Sequence, residues 1–126
     1  MEFLTVNYET QESILKSFDA IADKLSKDII LKINNARYQI TDFEFYSFSE
    51  KLPDPYTHLN KLQQQKGKLY LHGSGIDLTF GENKKHGGIL LRSVIRLQDD
   101  KFEMKQFNGP HLVATELFSN LNSLDI

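Results

Sequence analysis

Along residues 37–46, RYQITDFEFY, side chains alternate with the period of two that belongs to a β-strand, yet the apolar side changes over midway. Tyr38, Ile40, Asp42, Glu44 and Tyr46 share one side, which runs from apolar into acidic. The other side begins polar at Gln39 and Thr41 and becomes apolar at Phe43 and Phe45. A regular strand cannot serve a single core with that pattern. Either a bulge flips the register near Asp42, or Glu44 points inward, and the two cases put the acid in opposite environments.

The strand feeds an unusual connection. Residues 47–67 carry Pro53, Pro55, three glutamines and Gly67, a loop of about 20 residues, which in a compact domain is commonly functional or disordered. Residues 59–65 can supply a short helical turn within it. The stretch ITDFEFYSFSEKLPDPYTH therefore sets an acid and an aromatic plate two residues apart, Glu44 and Tyr46, and an imidazole, His58, at the end of the loop that follows. That combination suits a flat, polar ligand.

The remaining chain supplies the rest of one α+β domain spanning residues 1–126. Ile14, Phe18, Ile21 and Leu25 recur at helical spacing over residues 10–26, with a break expected near Ser17. Residues 28–33 read as a strand, and Asn34-Asn35-Ala36 is turn chemistry into the next one. Residues 68–72 place Leu69 and Leu71 on one face and Tyr70 and His72 on the other. Residues 73–75, Gly-Ser-Gly, form a kink before a strand over 76–80. Residues 88–97 carry the strongest β pattern, with Leu90, Arg92 and Val94 expected on one face; an arginine there is either paired or functional. A turn at Asp99-Asp100 and a strand over 102–107 follow. Asn108-Gly109-Pro110 opens a final helix with Val113, Leu117, Phe118 and Leu121 on its buried side.

Composition excludes several function classes. With 126 residues, 40% hydrophobic and 25% charged, the chain can bury a core without staples. It has no cysteine, which removes disulfides, thiolate metal sites and cysteine nucleophiles. The four histidines, His58, His72, His86 and His111, are too scattered for a metal site, and no cofactor motif is present. The first residues lack the pattern of a signal peptide, and no apolar run approaches the roughly 20 residues that span a bilayer, so a cytoplasmic location and no membrane partner are expected. A net charge of −2 argues against tight duplex binding, although Lys61, Lys66, Lys68, Lys84 and Lys85 gather locally, read first as solvated loop charges.

Glu44, Tyr46, His58, His72 and Arg92 then carry the chemistry. Glu44 is either a structural ion-pair partner of Arg92 or a general base that orients water, with Arg92 holding its position.

The order of segments resembles that of the methylpurine-DNA (3-methyladenine) glycosylases over nearly the whole chain. FDAIADKLSKDIILKI resembles that family's opening helix and strand, and ITDFEFY its catalytic strand of an acid, a tyrosine two residues on, and a loop leading to a histidine. KGKLYLHGSGIDLTF, GGILLRSVIRL and FNGPHLVATELF resemble three further family segments in the same order. The resemblance implies a strongly curved, barrel-like antiparallel sheet with an N-terminal and a C-terminal helix. It also implies hydrolysis of the N-glycosidic bond of a modified purine in base-excision DNA repair, without metal or cofactor. Glu44 then matches the acid that activates water and Arg92 its neighbour. Tyr46 and His58 match the pocket walls, and His72 stands where the family has another stacking tyrosine. Ser74 occupies the position of the family's wedge tyrosine, and a serine cannot fill a vacated base stack. Gly81 stands roughly at the asparagine that guards the family pocket.

Three functions compete: a glycosylase acting on DNA or a smaller nucleic-acid substrate, a non-catalytic nucleobase- or nucleoside-binding module, and an interaction domain using the scaffold alone. The last predicts Glu44 locked in an ion pair with no open cavity around Tyr46.

Overall fold

The computed structural model describes residues 2–73 and 75–121. A 3-10 turn (Glu2–Leu4) precedes α1 (Gln11–Lys27). Thr10 caps that helix: its hydroxyl accepts from the Ser13 N–H, and Ser13 Oγ accepts from the Thr10 N–H. The reciprocal pair satisfies two donors that have no partner inside the helix. The break expected at Ser17 does not occur. Its hydroxyl donates to the Ser13 carbonyl one turn back, so the polar side chain is satisfied within a continuous helix.

Six antiparallel strands follow in the order β1 (Ile30–Ile33), β2 (Ala36–Phe48), β3 (Leu69–His72), β4 (Gly75–Thr79), β5 (His86–Arg96) and β6 (Lys105–Asn108), and α2 (Pro110–Leu121) ends the described chain. Spatially the order is β1-β2-β5-β4-β3, with β6 also on β5. Strand β5 is the spine. Strand β2 lies along one edge, while the other edge is divided between β4 at residues 88–90 and β6 at residues 93–96. The sheet curls into a half-barrel, so the α+β architecture with a helix at each end of the chain is as the sequence leads one to expect. Asn34, at φ 53°, makes the two-residue turn between β1 and β2, using the tolerance of asparagine for left-handed backbone.

The bulge is real and doubled. The pairing of β2 with β5 is regular up to Ile40–Val94, shifts at Asp42–Ser93, and resumes at Phe43–Leu91. Because both strands carry the irregularity, both change faces together and cross-strand partners are kept. Tyr38, Ile40 and Val94 face the core on one side of it; Phe43, Phe45, Ile89 and Leu91 face it on the other. The expectation that Val94 shares a face with Leu90 and Arg92 is therefore wrong: alternation breaks between Arg92 and Val94, and Val94 is fully buried in the core. Glu44 and Tyr46 are thrown onto the face away from the apolar core. Phe18 of α1 stacks on Phe45, with ring centroids 4.7 Å apart, and Phe80 meets both edge-on.

Helix α2 corrects a second expectation. Val113 and Leu117 are buried, but Phe118 and Leu121 are 44% and 47% exposed. Glu116 and Asn120 turn inward instead, toward Tyr38, which rotates the helix and carries residue 118 out of the apolar stripe. The strand expected over residues 102–107 is also shorter. The Asp99 carboxylate accepts from the N–H groups of Lys101 and Phe102, holding a turn there, and pairing begins only at Lys105.

Candidate functional site

Beyond the bulge, the face of the sheet opposite the helices gathers one side chain after another from four adjacent strands. Glu44 and Tyr46 come from β2, Leu90 and Arg92 from β5, Asp77 from β4, and Tyr70 and His72 from β3. The long connection folds over this face. Phe48 bridges to Pro53, the Asp54 N–H donates to the Ser47 carbonyl, and Asp54 Oδ1 accepts from the Tyr56 N–H in a local side-chain turn. A 3-10 turn (Lys61–Gln64), capped by Asn60, brings in Gln63. Thr79 then fastens the far end, donating to the Gln65 carbonyl and accepting from the Lys68 N–H.

Between loop and sheet lies a cleft of about 330 Å³ lined by Tyr46, Tyr56, His58, Gln63, His72, Asp77 and Leu90. That volume sits at the lower end of the roughly 300–1,000 Å³ typical of small-molecule sites. Rings form much of its wall. The His58 and His72 centroids are 4.6 Å apart, the Tyr70 ring lies 5.0 Å from His72, and His58 Nδ1 is 3.3 Å from the Tyr70 hydroxyl.

The expected residues divide into two groups. Tyr46, His58 and His72 line the cleft together. Glu44 and Arg92 stand outside its lining: Arg92 Nη1 donates to Glu44 Oε1 at 2.6 Å, and the Tyr46 hydroxyl donates to Glu44 Oε2 at 2.6 Å. Arg92 Nε also lies 3.5 Å from Asp42 Oδ2. The hydrogen bond to Glu44, with partial burial and the Glu44 charge behind it, raises the Tyr46 pKa and keeps its hydroxyl a donor. The ion pair is thus present, and so is an open cleft beside Tyr46. Ser74 lies outside the described residues. Of the local lysines, Lys66 pairs with Glu82 at 3.7 Å and Lys85 lies over the Tyr8 ring.

Sequence reasoning missed Asp77. Its carboxylate is 3% exposed, with Oδ1 2.8 Å from His72 Nε2. The available signal was the lone charged residue in the otherwise uncharged strand of residues 76–80, Ile-Asp-Leu-Thr-Phe, since aspartate is almost never fully buried unless paired. Gln63 was missed too, and glycines flank both. A Cβ at Gly88 would lie 2.4 Å from Asp77 Oδ2 and 3.1 Å from Gln63 Nε2, and one at Gly81 would lie 1.8 Å from the Gln63 carbonyl oxygen. Glycine in these strands and turns is the sequence trace of close approach. Among the described residues no group of three or more His, Asp or Glu is placed to hold a metal ion, and no helix is long and apolar enough to cross a membrane.

An uncharacterized protein of Acanthamoeba polyphaga mimivirus is similar to this chain, 28% identical over an alignment that covers 64% of the chain. The chain spans about half the length of that relative, 49% of which is covered. No protein-family model matches, and no solved structure matches.

Proposed function

We propose that this chain binds a flat, polar heterocycle of nucleobase or nucleoside size in the cleft between the 47–67 loop and the sheet. The observation that carries this reading is the convergence of Tyr46, Tyr56, His58 and His72 on one cleft with a polar floor of Asp77 and Gln63. Rings supply stacking surface at small entropic cost, and the floor supplies hydrogen bonds that fix orientation. The cytoplasm, where nucleobases and nucleosides are at hand, is the compartment this reading favours.

Thermal unfolding in the presence of adenine, hypoxanthine, guanine and their nucleosides tests it. A ligand at 100 times its Kd stabilises the folded chain by about 2.7 kcal/mol. At least one of the series is expected to raise Tm, and Tyr46→Ala is expected to remove the rise. No shift from any of them at millimolar concentration contradicts the reading.

A second reading, N-glycosidic hydrolysis of a modified purine in DNA, draws support from the Glu44–Arg92 pair and its hydrogen bond to a ring that lines the cleft. There Glu44 activates water at the side of the cleft and Arg92 holds the carboxylate in position. Glu44→Gln is expected to abolish release of free base from alkylated or deaminated-purine oligonucleotides while leaving Tm within a few degrees of wild type. If wild type releases no base from single- or double-stranded substrate, the hydrolytic reading fails and the binding reading stands alone.

A further inference from the structure

We infer that the cleft floor selects its ligand by an edge on which a hydrogen-bond acceptor sits next to an N–H donor, the donor going to Asp77 and the acceptor to Gln63. The inference rests on the binding reading above and narrows its ligand class.

Three observations support it. Asp77 Oδ1 is committed to His72 Nε2 at 2.8 Å, which leaves Oδ2 as the acceptor that the buried carboxylate offers to the cleft. The Gln63 amide has a fixed orientation, because Oε1 accepts from the Asn60 N–H at 3.2 Å. Its Nε2 therefore points away from that turn, and among the described residues it has no hydrogen-bond partner although the side chain is 1% exposed. A buried donor left without an acceptor is a standing cost, and a ligand acceptor would remove it. Finally, Oδ2 and Nε2 converge over Gly88, within 2.4 Å and 3.1 Å of where a Cβ would sit. One acceptor and one donor side by side define a complementary edge on the ligand.

Two purine chemistries present such an edge. Hypoxanthine offers a carbonyl beside a ring N–H, and adenine offers a ring nitrogen beside an amino group. Sites built around hydrogen bonds to a ligand reject analogues that lack the group far more strongly than apolar pockets reject a missing methylene, because their buried polar groups are left unpaired.

Isothermal titration of the full chain with inosine, 1-methylinosine, adenosine and N6,N6-dimethyladenosine tests this, because the ribose removes the N9–H beside N3 that every free base keeps. One of the two parent nucleosides is expected to bind at least tenfold more tightly than its methylated partner, whose base has no N–H donor, and the pair that shows the difference identifies the edge. Asp77→Asn is expected to reduce that discrimination at least tenfold. If that variant does not fold, the wild-type comparison decides alone. Equal binding of parent and methylated nucleosides overturns the donor–acceptor assignment while leaving the ring-lined cleft intact. Failure of all four to bind overturns both readings together.

Discussion

Replacing Glu116 with alanine is expected to lower folding stability by about 3–5 kcal/mol, the range for removing one partner of a buried ion pair. Arg96 Nη1 lies 3.1 Å from Glu116 Oε2, and the two side chains are only 15% and 14% exposed. The same carboxylate oxygen accepts from the Tyr38 hydroxyl and from Asn120 Nδ2. Without it, the Arg96 guanidinium keeps the distant Asp99, at 3.8 Å, and the Phe102 ring, 4.2 Å from Cζ, and the Tyr38 hydroxyl loses its acceptor inside the core. Urea unfolding at neutral pH measures the loss. A cost below about 1 kcal/mol, the level of an exposed pair, would mean that this end of α2 is open to water.

Leu91→Ala is expected to cost about 2–5 kcal/mol by lost transfer energy plus the cavity left behind. Leu91 is fully buried on β5, opposite Phe43 and next to the point where both strands change faces. Leu15, on the solvent side of α1 and 48% exposed, is the matched control, and its alanine variant should stay within about 0.5 kcal/mol of wild type. Equal effects at the two positions would contradict the assignment of core face along β5. Total stability of a domain this size is about 5–15 kcal/mol, so either loss at Glu116 or at Leu91 is a large fraction of it.

Local chemistry made much of this fold readable. The Asn34-Asn35 turn, the amphipathic period of α1 and proline at the start of α2 each act over a few residues, and each appears where its pattern lies. The swap of faces along residues 37–46 was readable as a conflict, since a bulge was one of its two solutions. That β5 carries a matching irregularity was not readable, because it follows from pairing with a partner nearly 50 positions away. The inward turn of Glu116 and Asn120 was hidden for the same reason. Their partners, Tyr38 and Arg96, belong to other elements, and an apolar stripe counted along α2 alone favours Phe118.

The site divides along the same line. Tyr46 and His58 are linked by one continuous segment and meet at one cleft, as their spacing suggests. His72 joins them from β3. Asp77 and Gln63 reach the cleft floor only because β4 pairs with β5 and the 3-10 turn packs above Gly88. The role of Glu44 was hidden for a different reason. Its sequence environment allowed both an ion pair and a free base, and in the fold its two oxygens are held by Arg92 and Tyr46 at the side of the cleft.

Nitrogen-15 chemical-shift mapping of the full chain titrated with the tightest-binding purine tests the central claim most directly. Perturbations are expected to cluster at Tyr46, Tyr56, His58, His72 and Asp77 and to leave β1 and α2 unmoved. Perturbations confined to the Arg96–Phe102 side of the sheet, or none at millimolar ligand, would contradict a nucleobase site in this cleft.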